Sequence, residues 1–357
     1  MKILNFFVPA ILMSAIFQSS SYEAAVLRSD SITDGRIIFI SRRIPGSANW
    51  RIMVMNSDGT DQKELSTKNV RCSSPVVSSD GKYVAFTTLE NKDYHLYVIG
   101  IDGQGLTHLS TGDQYLGNPS FSPDNSKIIF SKTDTIPEFI DIYIIDIDGK
   151  NEFKLTSTGK NTSPSWFPSG DKILFCSRQN DSWGIYTMRL DGSDMKLISP
   201  PNKSLCCPNL SPDGGKIAMV HPSRDGSQIF VMDVQGNGLK QLTFTAAPGI
   251  IDSGFPRDGS IDPVWSPDSE KIAYVSHEDT APDIFVINAD GSNNKRLTYA
   301  TGRDENPCWT SDGQYVIFSS GRKRKMQADI FIMRSDGTKQ KALSNYPQHD
   351  IHPIWFD

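Results

Sequence analysis

Short hydrophobic stretches that alternate with polar turns recur along most of the chain. The unit is clearest at residues 262–291, which read as three strands separated by a Pro267-Asp268 turn and a loop. Asp290-Gly291 closes the third strand, and Arg296-Leu297-Thr298 begins a fourth. Alternation with a period of two is typical of strands that have one buried face. The pattern therefore predicts an all-β protein built from four-stranded units.

The units repeat at a nearly constant interval. A two-residue hairpin needs positive φ, which glycine supplies, so the turn glycines mark the repeats; they are Gly59, Gly103, Gly149, Gly192, Gly236, Gly291 and Gly337. One interval is longer because an insertion at 245–261 precedes the sixth unit. A period of about 45 residues with four short strands is typical of a β-propeller.

The two ends of the repeat region complement each other. The first unit lacks a Pro-x-Trp strand before Arg36, and the chain ends on such a strand, with Pro353 and Trp355. We therefore predict a seven-bladed β-propeller of four-stranded blades over residues 35–357, closed by the C-terminal strand, which completes the first blade. Such closure removes open sheet edges.

The first residues have the pattern of an export signal. Met1 and Lys2 precede an apolar run at 3–17 and a small polar segment at 18–21. This pattern predicts a signal peptide over residues 1–25, with an uncertain cleavage site, and a connector at 26–34. The expected location is periplasmic or secreted, with no stable membrane span after cleavage.

Composition argues against two classes of protein. The net charge is −5 and the one basic cluster is at 322–325, so no nucleic-acid partner is expected. Five cysteines at low density do not make a disulfide scaffold, and buried free thiols are the simpler interpretation.

Polar residues just before the repeated prolines are the best binding candidates. In a propeller the innermost strands line the central channel, so these residues are expected around one mouth of it; they are Asn118, Ser163, Cys207, Asp262, Asn306 and His352. The loops after the second strands open on the same face and carry Arg178, His221, His277 and Arg322. We predict binding by Asn118, Asp262, Asn306, His352, Arg178 and Arg322, and we assign no catalytic residue.

The repeat resembles the WD-like repeats of the TolB-type propeller family. The shared motifs are Ser-Pro-Asp-Gly at 211–214, the strand and turn at 141–149, and Leu297-Thr298, and the likeness covers about 35–357. TolB's N-terminal α/β domain is not expected here. The resemblance and the rigid blades with variable loops indicate an exported, non-catalytic module that binds a protein or peptide of the cell envelope.

A metal-dependent enzyme or a sugar-binding propeller is the alternative. His221, His277 and His352 could hold a divalent metal, in a site that resembles those of the oligogalacturonate lyases, and the ligand would be an acidic oligosaccharide. In the main hypothesis no cofactor is expected. The Pro-x-Trp tryptophans could stack on sugars, but an aromatic residue repeated at one strand position is more often inter-blade core.

Overall fold

The computed structural model describes residues 34–42, 49–66, 70–112, 114–133, 139–157, 159–179, 181–223, 225–245, 251–252, 255–256, 259–278, 281–324, 327–347 and 349–357. The predicted signal peptide, and all of the predicted connector except Asp34, lie outside these residues. Residues Thr33–Asp357 form one compact unit. Its described part consists of strands and connecting turns without a helix; consistently, the described residues contain no helix with the length and hydropathy needed to cross a membrane.

The described residues form thirty strands. In chain order they are β1 (Arg36–Ser41), β2 (Arg51–Asn56), β3 (Lys63–Glu64), β4 (Arg71–Val77), β5 (Tyr83–Glu90), β6 (Asp93–Gly100), β7 (Thr107–Gly112), β8 (Leu116–Phe121), β9 (Lys127–Thr133), β10 (Ile140–Asp146), β11 (Phe153–Lys154), β12 (Lys160–Trp166), β13 (Lys172–Gln179), β14 (Ser182–Arg189), β15 (Lys196–Leu197), β16 (Cys206–Leu210), β17 (Lys216–His221), β18 (Gln228–Asp233), β19 (Lys240–Gln241), β20 (Ile251–Asp252), β21 (Phe255–Pro256), β22 (Ser260–Trp265), β23 (Lys271–Ser276), β24 (Asp283–Asn288), β25 (Lys295–Arg296), β26 (Asp304–Trp309), β27 (Tyr315–Arg324), β28 (Gln327–Arg334), β29 (Lys341–Ala342) and β30 (Asp350–Phe356).

The prediction of seven four-stranded blades is wrong. The structure is an all-β propeller with five four-stranded blades, namely β30-β1-β2-β3, β4–β7, β16–β19, β22–β25 and β26–β29. Strands β8–β15, which the repeats assign to two further blades, belong to one eight-stranded sheet. They are joined because β10 and β12 pair in parallel at Ile140 and Lys160. A sequence repeat counts groups of strands, but it does not show whether neighbouring groups share a backbone pairing.

The last strand closes the first blade, as predicted from the chain ends. β30 runs antiparallel to β1, with Ile37 opposite Trp355 and Ile38 opposite Ile354. Ser41 Oγ also donates a 2.5 Å hydrogen bond to Asp350 Oδ1. This pairing gives β1, which would otherwise be an edge strand, a partner on each side.

The hydrophobic core lies between adjacent sheets. One buried cluster brings Ala273 and Val275 of β23 together with Val316 and Phe318 of β27. The Pro-x-Trp tryptophans belong to these layers: Trp265 is 4% exposed. Its Nε1 donates to the carbonyl of Asn209 in the preceding blade at 2.9 Å. The expected inter-blade packing is confirmed for this residue. The five cysteines are free thiols, and three of them are buried.

The Leu-Thr motif has a defined structural role. Thr298 Oγ1 accepts a hydrogen bond from the Ile284 amide at 3.0 Å and donates one to Asp283 Oδ1 at 2.8 Å. The hydroxyl therefore ties the short outer strand to the start of the third strand. The same backbone amide bond recurs at Ser66, Thr156, Ser199, Thr243 and Ser344.

The insertion at 245–261 contains a small ribbon, β20 paired with β21. Its two ends are anchored to the blade that precedes it. Gln228 Nε2 donates to the Thr245 carbonyl at 2.6 Å, and the Thr245 amide donates back to Gln228 Oε1 at 3.0 Å. Thr245 and Ser260 share a 2.8 Å hydroxyl hydrogen bond. These bonds fix the stem of the insertion.

Candidate functional site at the channel

One backbone feature recurs at the residue before each repeated proline. All seven such residues adopt left-handed φ angles of 48–55°: Ser74, Asn118, Ser163, Cys207, Asp262, Asn306 and His352. Each lies where the register shifts between an innermost strand and its neighbour, as in a β-bulge. A residue other than glycine pays roughly 1 kcal/mol or more for this conformation. Bulges re-aim side chains, and here they do so at one level of the channel.

Six of these seven residues, all but Cys207, line two adjoining cavities. Asp262, Asn306 and His352 line one of about 430 Å³ together with Ser74. Asn118 and Ser163 line a second of about 280 Å³, which Ser74 also borders. The structure therefore brings together four of the six predicted binding residues around the channel. Asp262, Asn306 and His352, which line the same cavity, form a charged arc.

The charged arc has unusual electrostatics. The Asp262 side chain is exposed to the cavity, but nearby protein atoms displace part of the water around its carboxyl group. This desolvation, aided by the nearby Glu305 carboxylate and opposed by His277, raises the pKa of Asp262 to about 6. Desolvation likewise lowers the pKa of His352, against the pull of Glu305. At neutral pH the arc therefore presents a carboxyl group that protonates readily beside a neutral imidazole.

Hydrogen bonds position part of this arc. Ser319 Oγ donates to Asn306 Oδ1 at 3.2 Å and accepts from the His352 amide at 3.1 Å. On the other side of the ring the Tyr115 hydroxyl donates to Asn118 Oδ1 at 2.6 Å. Asn306 and Asn118 thus keep their amide Nδ2 groups for other acceptors in the channel.

The two predicted arginines differ from the ring residues. Arg322 Nη2 lies 2.7 Å from the fully buried Asp304 carboxylate, and its Nε donates to Ser320 Oγ at 2.7 Å. Its guanidinium also packs 4.7 Å from the centre of the Phe331 ring. Arg322 therefore holds its own blade together. Arg178 lies 3.4 Å from the exposed Asp181 carboxylate, in a weak surface pair.

The three histidines of the alternative metal site have separate surroundings. His221 Nδ1 is 2.7 Å from the Ser204 carbonyl, and His277 Nδ1 is 3.2 Å from the Gly259 carbonyl. Within the described ranges no group of three or more His, Cys, Asp or Glu is arranged to hold a metal ion. The divalent metal thus remains a prediction without a ligand set among these residues.

A larger cavity adjoins the charged arc. This cleft, of about 680 Å³, lies against the loops before β24 and β26, the strands β26–β28 and the start of β30. Arg303, Glu305, Arg322 and Lys323 line it, with Trp50 and His349. Arg303 Nη2 lies 2.6 Å from Glu305 Oε1. Trp50 and His349 have ring centres 6.0 Å apart.

Two of these lining residues were missed from the sequence. Ser74 belongs to the ring, but its strand reads Ser-Pro-Val-Val and lacks the tryptophan that marks four of the other units. The proline after it was the available signal. Arg303 lies in a loop between units and carries no repeat signal, so only the fold brings it to the cleft.

The fold and this site define a β-propeller whose polar side chains are gathered at one level of its channel. The sequence matches the TolB beta propeller domain family over residues 26–249 and 255–356. The chain therefore belongs to that family.

Individual relatives agree with this assignment. An uncharacterised protein of Agrobacterium fabrum is 29% identical over 167 residues, which are 44% of this chain and 53% of that protein. The Tol-Pal system protein TolB of a Francisella tularensis strain is 24% identical over 244 residues, 66% of this chain and 53% of that protein. This chain thus spans about half the length of the curated relatives it matches. The crystal structure of TolB from Acinetobacter baumannii shares the fold, with a TM-score of 0.58, 20% identity and coverage of 90% of this chain and 66% of that one.

Proposed function

We propose that the protein is an exported, non-catalytic propeller that binds a protein or peptide of the cell envelope at the channel mouth. Export rests on the sequence pattern at residues 1–25. Envelope partners are suggested by relatives that belong to the Tol-Pal system. Export and an envelope partner are therefore both inferred for this chain.

The observation that carries the proposal is the ring of left-handed residues. Six of the seven strained residues hold polar side chains along the two adjoining channel cavities. The arc of Asp262, Asn306 and His352 offers donors, acceptors and a titratable carboxyl in one cavity. Rigid strands hold this arc, so little ordering is needed when a partner docks.

The test is affinity capture of partners from the envelope fraction by the full chain and by a triple variant. The variant is Asp262→Gly, Asn306→Gly and His352→Gly. Glycine keeps the left-handed backbone without strain, so only the side chains are lost. We expect the variant to lose at least 90% of the captured partner while its unfolding midpoint is no lower than that of the wild type, because glycine relieves the left-handed strain.

The matched control carries glycine at three left-handed positions that line neither cavity: Asn125→Gly, Asn151→Gly and Asn293→Gly. It should retain most of the partner, because it spares the residues of the channel. Undiminished capture by the first variant would show that the channel mouth is not the binding surface. If neither chain captures a protein, the protein-binding proposal is wrong. Metal analysis and oligogalacturonate titration would then test the alternative.

A further inference from the structure

The cleft beside the channel has the lining of a site for a partly apolar anion. Arg303, Arg322 and Lys323 contribute three cationic groups, against one lining carboxylate, Glu305. The buried Asp304 pairs with Arg322. A positive excess remains in a chain whose net charge is −5. The local charge is therefore opposite to that of the whole molecule, which favours an acidic ligand.

The cationic side chains of the cleft differ in how firmly the rest of the protein holds them. Arg322 is held by Asp304 and packed on Phe331, so it supplies a fixed charge. The Arg303 side chain is 64% exposed, and its pair with Glu305 is of the weak surface type. Lys323 is exposed and lies 5.4 Å from the centre of the Phe331 ring. Arg303 and Lys323 can therefore turn towards an incoming carboxylate.

The remaining lining includes an apolar wall that suits a peptide. Trp50, Ile351 and two alanines form this wall, and Gln327, Thr301, Ser319 and His349 add polar groups beside it. A peptide offers apolar side chains between its carboxylates, so it can meet both the wall and the cations. A volume of about 680 Å³ is that of a site for a short segment.

The cleft shares a wall with the channel cavity. On β26, Glu305 lines the cleft and the next residue, Asn306, lines the channel cavity. On β30, Ile351 lines the cleft and His352 lines the channel cavity. Ser319 lines the cleft and is hydrogen-bonded to both Asn306 and the His352 amide. A partner that docks at the channel mouth therefore lies close to the cleft.

We propose that the cleft at β26–β28 and β30 binds an acidic peptide segment, with Arg303 and Lys323 receiving its carboxylates and Trp50 contacting an apolar residue. This inference deepens the proposed function, on which it rests, because it names the chemistry of the segment that the partner inserts.

The test uses a library of random ten-residue peptides, retained on the full chain and then sequenced. We expect Asp and Glu to be enriched at least threefold over the input among retained peptides, and the enrichment to vanish in 0.5 M NaCl. The variant Arg303→Gln with Lys323→Gln should lose the enrichment. A control variant, Lys63→Gln with Lys341→Gln, removes two exposed cations outside the cleft lining and should keep it.

Retained peptides without acidic enrichment, or the same enrichment in the cleft variant, would overturn the inference, as would a failure to retain any peptide. Binding of oligogalacturonate that is lost in the cleft variant, without peptide retention, would assign the cleft to saccharides instead.

The channel variant with three glycines separates the two proposals. If it loses envelope partners while acidic peptides still bind, the two surfaces act independently. If it captures partners normally, the proposed mouth fails even when the cleft inference holds.

Discussion

The surroundings of Asp262 in the channel change the pKa of its carboxyl group. An aspartate in an unfolded chain has a pKa of about 4. Enclosure by the ring, with Glu305 close by, raises the pKa of Asp262 to about 6 in the folded protein. The folded state therefore holds this proton more tightly than the unfolded state, and ionisation between about pH 4 and pH 6 opposes folding.

Asp262→Asn should consequently stabilise the protein at high pH alone. We expect a gain of about 1 kcal/mol at pH 7.5, a value that allows for screening by channel water, and almost none at pH 4. Urea unfolding at the two pH values measures this difference, and asparagine tolerates the left-handed backbone.

Asp124→Asn is the control with the opposite sign. The Ser122 hydroxyl and the Ser126 amide and hydroxyl lower the pKa of Asp124 to about 2. Its ionised form therefore stabilises the fold above about pH 4, and that contribution disappears only as the pH falls towards 2. This variant should be less stable than the wild type at pH 7.5 and still so at pH 4. A constant benefit of Asp262→Asn at both pH values would contradict the assignment of Asp262.

At the scale of elements, the outer strands of the blades are too short to hold themselves in place. β25 spans two residues and pairs with β24 at Phe285 and Val286. Thr298, just after it, adds two buried hydrogen bonds to the start of β24. Arg296 adds an ion pair to Asp283 at 2.5 Å. The motif therefore compensates for the small backbone ladder.

Thr298→Val should destabilise the protein by about 2–3 kcal/mol. The substitution keeps the shape of the side chain but leaves the buried Ile284 amide without its acceptor and Asp283 without one donor. A shift of the urea midpoint measures the loss. Thr338→Val, at an exposed turn, is the matched control and should change stability by less than about 0.5 kcal/mol. Equal midpoints for the two variants would disprove the role of the hydroxyl.

The sequence predicted what is encoded within one repeat. The strands, the hairpin glycines and the residues before the prolines all follow local rules of φ angle and alternation, and Asp262, Asn306 and His352, grouped by that rule, line one cavity. The sequence did not predict which side chains pair with one another. Arg322 was proposed to bind ligand, and the fold pairs it with Asp304 of the same blade. The predicted number of separate blades was wrong because the backbone pairing of Ile140 with Lys160, which carries no sequence signal, joins two repeats.

At the scale of the whole molecule, the ring depends on the pairing between β1 and β30. Removing residues 350–357 would leave β1 with an unpaired edge and expose apolar residues such as Ile38 and Ile40. We expect the truncated chain to aggregate at micromolar concentration and to unfold at a lower urea concentration, because open edges recruit other strands.

A synthetic peptide of residues 350–357 should restore the monomer when added in trans. Light scattering and size-exclusion chromatography follow the rescue. The control peptide carries Ile354→Pro, which removes a backbone donor opposite Ile38 and should not rescue. A truncated chain that stays monomeric and as stable as the wild type would show that closure contributes little.

The pairing of β1 with β30 also determines when the first blade can be completed during protein synthesis. Ser41 and Asp350, which are hydrogen-bonded in the finished protein, are 309 positions apart in the chain. At about 5–20 residues per second, a ribosome needs roughly 15–60 s to make the segment between them. The first blade therefore lacks its innermost strand while this whole segment is made. Over that interval the nascent chain must be kept from premature pairing, and the ring becomes complete only after β30 leaves the ribosome.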